Sequence, residues 1–330
     1  MALNTRRPTG NPPWPILLIA GVPKAGKSYA AAEASASPLI GRTLWVGIGE
    51  DDPDELGGIP GARFEIVTHD GTYLGILSTL EACVEELRGG DLPGLIVVDS
   101  MTRLWGLLTD EAQHLANQRA AKKARKMNWS APTEDVTISM DLWNRAKARW
   151  ESVMDVLRSH QGPVIVTARL DQTAVMNAKG EPTPEKVWKV QAHKSLPWEV
   201  GAIVEFPEPR RAYLSGVRSL RVPIPVGEPR AVPDFNVDRL WREMGLDGGA
   251  AHRRHADIDA GDSVDADTRA DADLDAAKRD TWAAWQNTGR GDVDAFITEF
   301  ETRYGHPPED ATVAELRAFT TTLTSQETNQ

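Results

Sequence analysis

Only one cysteine, Cys83, occurs in the 330 residues, so no intrachain disulfide can form, and a reducing compartment suits the chain. Cys83 falls in a helical pattern and reads as packing. The seven histidines show no zinc-like spacing; His252 and His255 merely flank two arginines. No internal repeat is visible. No apolar run approaches the ~20 residues that a membrane-crossing helix needs. The opening Met1-Ala2-Leu3-Asn4-Thr5-Arg6-Arg7 leads into Pro/Gly-rich sequence and lacks the apolar core of a secretory signal. No membrane partner is expected, and the expected location is the cytoplasm.

The negative charge is confined to one end. The chain carries 37 basic and 48 acidic side chains, net −11; residues 249–330 hold 8 and 17 of them, net −9, leaving residues 1–248 at 29 against 31, net −2. A near-neutral body with a local basic patch can still meet a polyanion, because local potential outweighs the sum. The composition divides the chain into a flexible N-terminus over 1–13, a main domain over 14–248, an acidic linker over 249–275 and a small helical module over 276–330. From Asp257 to Asp275 eight aspartates lie among alanines with no aromatic residue, a composition that buries too little surface to fold, so the linker is expected to be disordered. Beyond it, Trp282, Trp285, Val293, Phe296, Ile297 and Phe300 restore an apolar pattern. Pro307-Pro308 breaks the chain, and Thr312-x-x-Glu315 is a capping box ahead of Leu316, Phe319 and Leu323. Three short helices with a small core are expected there.

The main domain contains Gly21-Val22-Pro23-Lys24-Ala25-Gly26-Lys27-Ser28, the G-x-x-x-x-G-K-[ST] phosphate-binding loop. The apolar run Pro15–Ala20 leads in as a buried strand, and the Ala-rich stretch from Tyr29 to Ala36 leads out as a helix. Such a loop turns backbone N–H groups onto phosphate oxygens at a helix N-terminus, Lys27 reaches the β/γ-phosphates, and the Ser28 hydroxyl ligates Mg2+. The cofactors read from residues 21–29 are ATP and Mg2+.

A second element must hold the metal. Leu95-Ile96-Val97-Val98-Asp99 is an apolar strand ending in a carboxylate, a Walker-B pattern with Asp99 as the metal residue. Hydrolysis also needs a group that orients and deprotonates water. Arg42-Thr43-Leu44-Trp45-Val46-Gly47-Ile48-Gly49-Glu50 reads as a strand, and a carboxylate at the C-terminal edge of a parallel strand beside the loop points into the nucleotide crevice, so Glu50 is the candidate base.

Elsewhere strands and helices alternate. Phe64–Thr68 is a strand, and Tyr73, Leu77, Leu80, Val84 and Leu87 form one helix face that ends at Gly89-Gly90. A helix follows Met140, with Leu142, Ala146, Trp150, Val153 and Leu157 on one side, and Val164–Ala168 is a further strand. Short β-runs at Val187–Gln191, Val200–Phe206, Arg211–Leu214 and Leu220–Ile224 extend the sheet as hairpins. The fold class is α/β, a mostly parallel sheet flanked by helices.

Between Walker B and the Met140 helix lies Arg119-Ala120-Ala121-Lys122-Lys123-Ala124-Arg125-Lys126, five cations in eight residues. Arg119, Lys122, Lys123, Arg125 and Lys126 can neutralise nucleic-acid phosphates, and Trp129, Trp143 and Trp150 can stack on unpaired bases if exposed. The same residues also read as a solvated helix face with core tryptophans and, as a lesser alternative, as the basic lid of a phosphotransferase. A ParA-like protein would carry lysine where Val22 stands, and a GTPase would need Asn-Lys-x-Asp where Ala168-Arg169-Leu170-Asp171 stands.

Taken together, the loop at 21–28, Glu50, Val97-Val98-Asp99-Ser100 and the strand 164–168 leading to Arg169-Leu170-Asp171-Gln172 resemble the RecA-like core ATPases, especially the compact phage-encoded branch of single-strand annealing and recombination. The resemblance covers about residues 14–247. It implies that Glu50 activates water, that Gln172 senses the γ-phosphate, and that Lys194, in Gln191-Ala192-His193-Lys194-Ser195-Leu196-Pro197, reaches a neighbouring subunit's nucleotide. It further implies self-association into a ring or short oligomer, a single-stranded DNA partner, a host-cytoplasmic location, and a replication or recombination protein docking through the C-terminal module. No polymerisation arm of the bacterial RecA kind is read before residue 14. A phosphotransferase and an ATP-dependent protein-binding switch stay as the alternatives.

Overall fold

The computed structural model describes residues 3, 5–130, 132–177, 179–225, 227–253, 261–289 and 292–327. The chain forms two units, Met1–His255 and Ala256–Gln330.

In the first unit the parallel strands are β1 (Ile16–Gly21), β2 (Thr43–Gly47), β3 (Phe64–Val67), β4 (Leu95–Asp99), β5 (Val164–Met176) and β7 (Ala202–Glu208). Hairpin strands are β6 (Pro182–Gln191), β8 (Arg211–Val217) and β9 (Arg230–Val232). The order across the sheet is β3-β2-β4-β5-β1-β7-β8-β9, with β6 antiparallel to the outer half of β5. The helices are α1 (Lys27–Ala34), α2 (Tyr73–Glu86), α3 (Met101–Met127), α4 (Met140–Ser159), α5 (Leu196–Glu199) and α6 (Val237–Glu243). This is an α/β fold with a mostly parallel sheet.

Both sheet faces are covered, which is why the central strands read as continuous apolar runs. Alternate residues of each strand enter opposite cores, as the two-residue period of a strand requires. Ile16, Leu18 and Ala20 join Val98, Val166 and Trp150 under α2, α3 and α4, whereas Leu17 and Ile19 join Val97, Ile165 and Trp241 under α1 and α6. Register aligns the C-terminal ends: Ile19 lies opposite Thr167 on β5, and Val98 opposite Val166. Asp99 is therefore level with Thr167, one strand away from the loop that follows β1.

Several expectations are corrected. The strand expected to reach Glu50 stops at Gly47 as a ladder, although Ile48 N–H still donates to Asp99 O at 2.5 Å. β5 runs past Ala168 to Met176, because its outer half pairs with β6 as a hairpin, Arg169 opposite Gln191. Leu220–Ile224 forms no strand; Pro223 and Pro225 offer no N–H to a ladder, and the sheet ends instead on Arg230–Val232. At the N-terminus, Ala251 N–H donates to Pro12 O at 3.0 Å and Pro13 bridges Ala251, so residues 12 and 13 are tied down. Trp143 and Trp150 are not stacking platforms: Trp143 lies on Trp105, and Trp150 is fully buried, edge-on to the same ring at 5.9 Å. Trp129 alone of the three is largely exposed, at 62%.

The second unit contains α7 (Gly261–Thr288), α8 (Val293–Tyr304) and α9 (Val313–Glu327). Of the acidic linker expected to be disordered, residues 254–260 lie outside the described residues, but 261–275 are helical. Alanine has the strongest helix propensity and is interspersed through that segment, which supports the helix against its charge. Trp285, Phe296, Phe300, Leu316, Phe319 and Leu323 make the core. The capping box forms: Glu315 Oε2 accepts from Thr312 N–H at 2.8 Å, and Thr312 Oγ1 accepts from Glu315 N–H at 3.4 Å.

Candidate nucleotide site

Gly21 ends β1 and the chain turns through Val22–Ala25 into α1, whose N-cap is Gly26 at φ 102°, a left-handed conformation suited to glycine. The loop is braced by the neighbouring hairpin. Val22 N–H donates to Phe206 O at 3.0 Å, and Arg210 N–H donates to Ala25 O at 3.3 Å. Gly21 is needed for that approach, since a Cβ there would stand 2.9 Å from Phe206 Cβ. Pro23, Lys24 and Tyr29 are exposed around the loop, and Ala25 is buried beneath it.

Lys27 folds over its own loop, with Nζ donating to Gly21 O and Val22 O, each at 3.2 Å. Burial lowers its pKa below the ordinary lysine value; Asp99 and Glu50 oppose that shift, and Arg169 and Lys24 add to it. An ammonium so placed retains only carbonyl partners, which a phosphate oxygen can replace.

Asp99 is 6% exposed at the end of β4. Ser28 Oγ donates to its Oδ2 at 2.8 Å, and Thr167 Oγ1 donates to its Oδ1. Burial raises the Asp99 pKa; the hydroxyls of Thr167 and Ser28 oppose this, Glu50 adds to it, and Lys27 opposes it. The paired hydroxyl and carboxylate fit Mg2+, a hard cation that takes oxygen donors, keeps several waters and uses one or two carboxylates besides phosphates. Ser28 and Asp99 are the residues that would hold it.

Glu50 lies three residues beyond the end of β2, which is the next strand outward from β4. Its Oε1 accepts from Ser100 Oγ at 2.7 Å, and Arg169 Nη2 lies 2.9 Å from Oε1 and 3.1 Å from Oε2. Ser100 follows Asp99, and Arg169 is opposite Gly21 in register, so the carboxylate is tied to both β4 and β5. Arg169 is itself fixed at its backbone, whose N–H donates to Thr102 Oγ1 at 2.9 Å.

The structure thus brings together Lys27, Ser28, Asp99 and Glu50 around the loop. Gln172 lies three residues beyond Arg169 on the exposed β5–β6 hairpin, its N–H donating to Asp171 Oδ1 at 2.8 Å, and Lys194 is exposed in the turn before α5. Among the described residues no hydrogen bond or ion pair joins either to the cluster. Lys122, Lys123, Arg125 and Lys126 are exposed on the last turns of α3, whose opposite side buries Ala112, Ala116 and Ala124. Arg119 is spent on Asp141 at 2.5 Å.

Thr167 and Arg169 belong to the site and carry no role in the sequence reading. Thr167 had a signal: a hydroxyl inside Val-Ile-Val-Thr-Ala, a fully buried strand, must find a partner. Arg169 had only its place at the strand's end.

No protein-family model matches the chain, and no curated protein matches it. Among solved structures, it is similar to a chain from a structural and biochemical analysis of a prototypical ATPase from the type III secretion system of pathogenic bacteria. The identity is 13%, over 58% of this chain and 50% of that one, with a TM-score of 0.33. This chain spans about half the length of that one, and a likeness of that degree carries no argument about activity. No helix among the described residues is long and apolar enough to cross a membrane.

Proposed function

We propose that the chain is a Mg2+-dependent ATPase of RecA-like type that acts on single-stranded DNA in phage recombination, annealing or replication. The observation that carries the ATPase reading is the convergence of Ser28, Asp99 and Glu50 at the C-terminal edge of the sheet beside a braced phosphate loop. Backbone N–H groups at the start of α1 and Lys27 bind the triphosphate; Ser28 and Asp99 would hold Mg2+, whose charge would stabilise the phosphoryl oxygens. Glu50 takes the proton of the attacking water. The strand order supports a water-activating role, because β2 sits beside β4 and sets Glu50 next to Ser100.

The DNA reading is supported by four exposed cations, Lys122, Lys123, Arg125 and Lys126, with Trp129 just beyond them. They continue without a break the helix whose earlier turns pack on α4, which disfavours the mobile lid of a phosphotransferase. Lys194 is proposed as the residue that reaches a neighbouring subunit's nucleotide, and Gln172 as a γ-phosphate sensor brought in by that assembly.

The deciding experiment is ATP hydrolysis by the full chain with and without single-stranded DNA. Stimulation supports the proposal; hydrolysis that ignores DNA, with transfer of phosphate to a small acceptor, replaces it with the phosphotransferase. Changing the four α3 cations to Ala should weaken binding and flatten the log-affinity against log-salt slope by ~0.7 per lost contact. Lys194→Ala subunits should bind ATP and hydrolyse it slowly, and should regain activity when mixed with Glu50→Gln subunits.

A further inference from the structure

A groove of about 850 Å3 lies in the first unit at the opposite end of β1 from the phosphate loop, where Pro15 and Ile16 open the strand and Val200 and Gly201 lead into β7. That volume is at the upper end of the ~300–1,000 Å3 usual for ligand clefts. Its lining is strongly cationic. Six arginines face it against one carboxylate, Glu199.

Two of those arginines are already satisfied. Arg253 donates to the carbonyls of Trp14, Leu157 and Gly162, and Arg158 pairs with Asp155 at 2.7 Å and with Glu199 at 3.2 Å. The remaining four, Arg6, Arg7, Arg218 and Arg221, are exposed, and among the described residues none has a side-chain hydrogen bond or ion pair. The groove's one carboxylate is thus neutralised while, among the described residues, the four guanidiniums have no anionic partner.

Two apolar side chains stand at the same groove in full contact with water: Trp198 is 90% exposed and Leu220 105%. Trp198 is not a loose residue. It sits on α5, which is pinned on one side by fully buried Leu196 and on the other by Glu199, held by Ser195 Oγ and Arg158. An indole that a rigid turn presents to solvent has a large apolar face with no intramolecular partner.

We propose that this groove binds an unpaired polynucleotide strand, with the four arginines on its phosphates and Trp198 stacked on a base. Repeating anionic charge alone would also be met by an acidic polypeptide, but such a ligand leaves the indole wet. A duplex keeps its base faces inside its own stack. An unpaired strand supplies phosphates and accessible π-faces together, the combination that aromatic and cationic grooves recognise. The inference rests on the single-strand reading of the function and adds a surface about 20 Å from the loop, six strand residues at ~3.3 Å each.

The test uses the full chain and fluorescence anisotropy of labelled dT20 and rU20 over a range of salt concentrations; the two probes separate DNA from RNA as the source of the strand. Trp198→Ala should weaken binding on the order of 5- to 100-fold, the scale of losing one stacked base, and Trp198→Phe should recover most of the loss. The double variant Arg218→Ala/Arg221→Ala should flatten the salt slope by ~1.4, from ~0.7 per contact. ATP hydrolysis without nucleic acid should be unchanged in all of them. If the parent binds either probe and the groove variants match its affinity and slope, the groove inference is overturned while the function reading stands. If the parent binds neither probe, both fall. Polyglutamate that displaces the probe from the parent as well as unlabelled dT20 does, with Trp198→Ala without effect, would assign the groove to an acidic polypeptide instead.

Discussion

Arg169 grips the carboxylate of Glu50 from β5, with one guanidinium nitrogen 2.9 and 3.1 Å from its two oxygens, while Ser100 Oγ donates to Oε1 at 2.7 Å. These contacts fix the orientation of the carboxylate, and Oε2, which accepts from Arg169 alone, keeps a lone pair for a water. The anion that would draw Arg169 away, a terminal phosphate on the loop, is also the one whose presence makes hydrolysis useful. Arg169 is half-exposed, so releasing it costs little, on the scale of ~0.2–1 kcal/mol for exposed pairs.

Glu50→Gln should therefore do two things. Hydrolysis should fall at least ~10²-fold, the scale of a general base. ATP should bind up to about fivefold more tightly, because Arg169 no longer has a competing carboxylate. The gain should vanish in the Arg169→Ala background, so that the double-mutant cycle is non-additive. Equilibrium ATP binding and steady-state turnover measure both. An additive cycle removes Arg169 from the site, and a near-normal rate in Glu50→Gln with loss in Asp51→Asn or Asp52→Asn moves the base.

Lys27→Ala should lose ATP affinity and turnover while the chain stays folded. In this structure Nζ bonds only the loop's own carbonyls at Gly21 and Val22, so the core loses nothing when it is removed. Circular dichroism and ATP titration on the same sample decide it: unchanged hydrolysis in a folded variant would falsify the phosphate-loop assignment.

How much of this was legible differs residue by residue. The loop at 21–28 and Asp99 are legible because each lies at the end of a strand whose apolar run has a boundary in the sequence, and Glu50 because it is the first carboxylate after the apolar run of β2, although the ladder itself stops at Gly47. Arg169 was hidden because β5 does not end where its first apolar run ends; Asp171, Gln172 and Thr173 interrupt that run, yet the strand continues to Met176 by pairing with β6, which no local pattern announces. Trp143 and Trp150 share helical spacing with core residues, and only the arrival of Trp105 from α3 decides that they face inward. In the 261–275 segment charge and alanine content point in opposite directions, and composition alone weighed the charge.

Gly21→Ala should separate space from flexibility at the loop. Its Cβ would meet Phe206 Cβ at 2.9 Å and Phe206 O at 3.2 Å, pushing β7 from the loop and stretching the Val22 to Phe206 hydrogen bond. Overpacking of this kind costs ~1–3 kcal/mol. Thermal melting should show the loss, with weaker ATP binding alongside it. Gly47→Ala is the control, since nothing lies within 4 Å of a Cβ there. Equal effects at both positions would mean that the Phe206 contact does not brace the loop.

His160 gives the ATPase unit a pH dependence of defined sign. The ring is 4% exposed between α4 and β5, and neutral Nε2–H donates to Gly94 O at 2.8 Å. Burial pushes its pKa down from 6.5 to about 4, with the Gly94 carbonyl opposing and the nearby Arg253 charge adding to the fall. The native state thus refuses a proton that the unfolded chain accepts below about 6.5. Stability is fully present above that pH and declines as pH drops towards 4, by up to about 3 kcal/mol for this one group. Urea unfolding of the full chain at pH 7 and pH 4.5, followed by pulse-labelling hydrogen exchange in peptides covering β4 and β5, should show the decline. His160→Asn keeps a side-chain N–H for Gly94 without the titration, so it should be less stable than the parent at pH 7 and lose most of the difference between the two pH values. A variant that retains the parent's full pH dependence would place the titration on other groups.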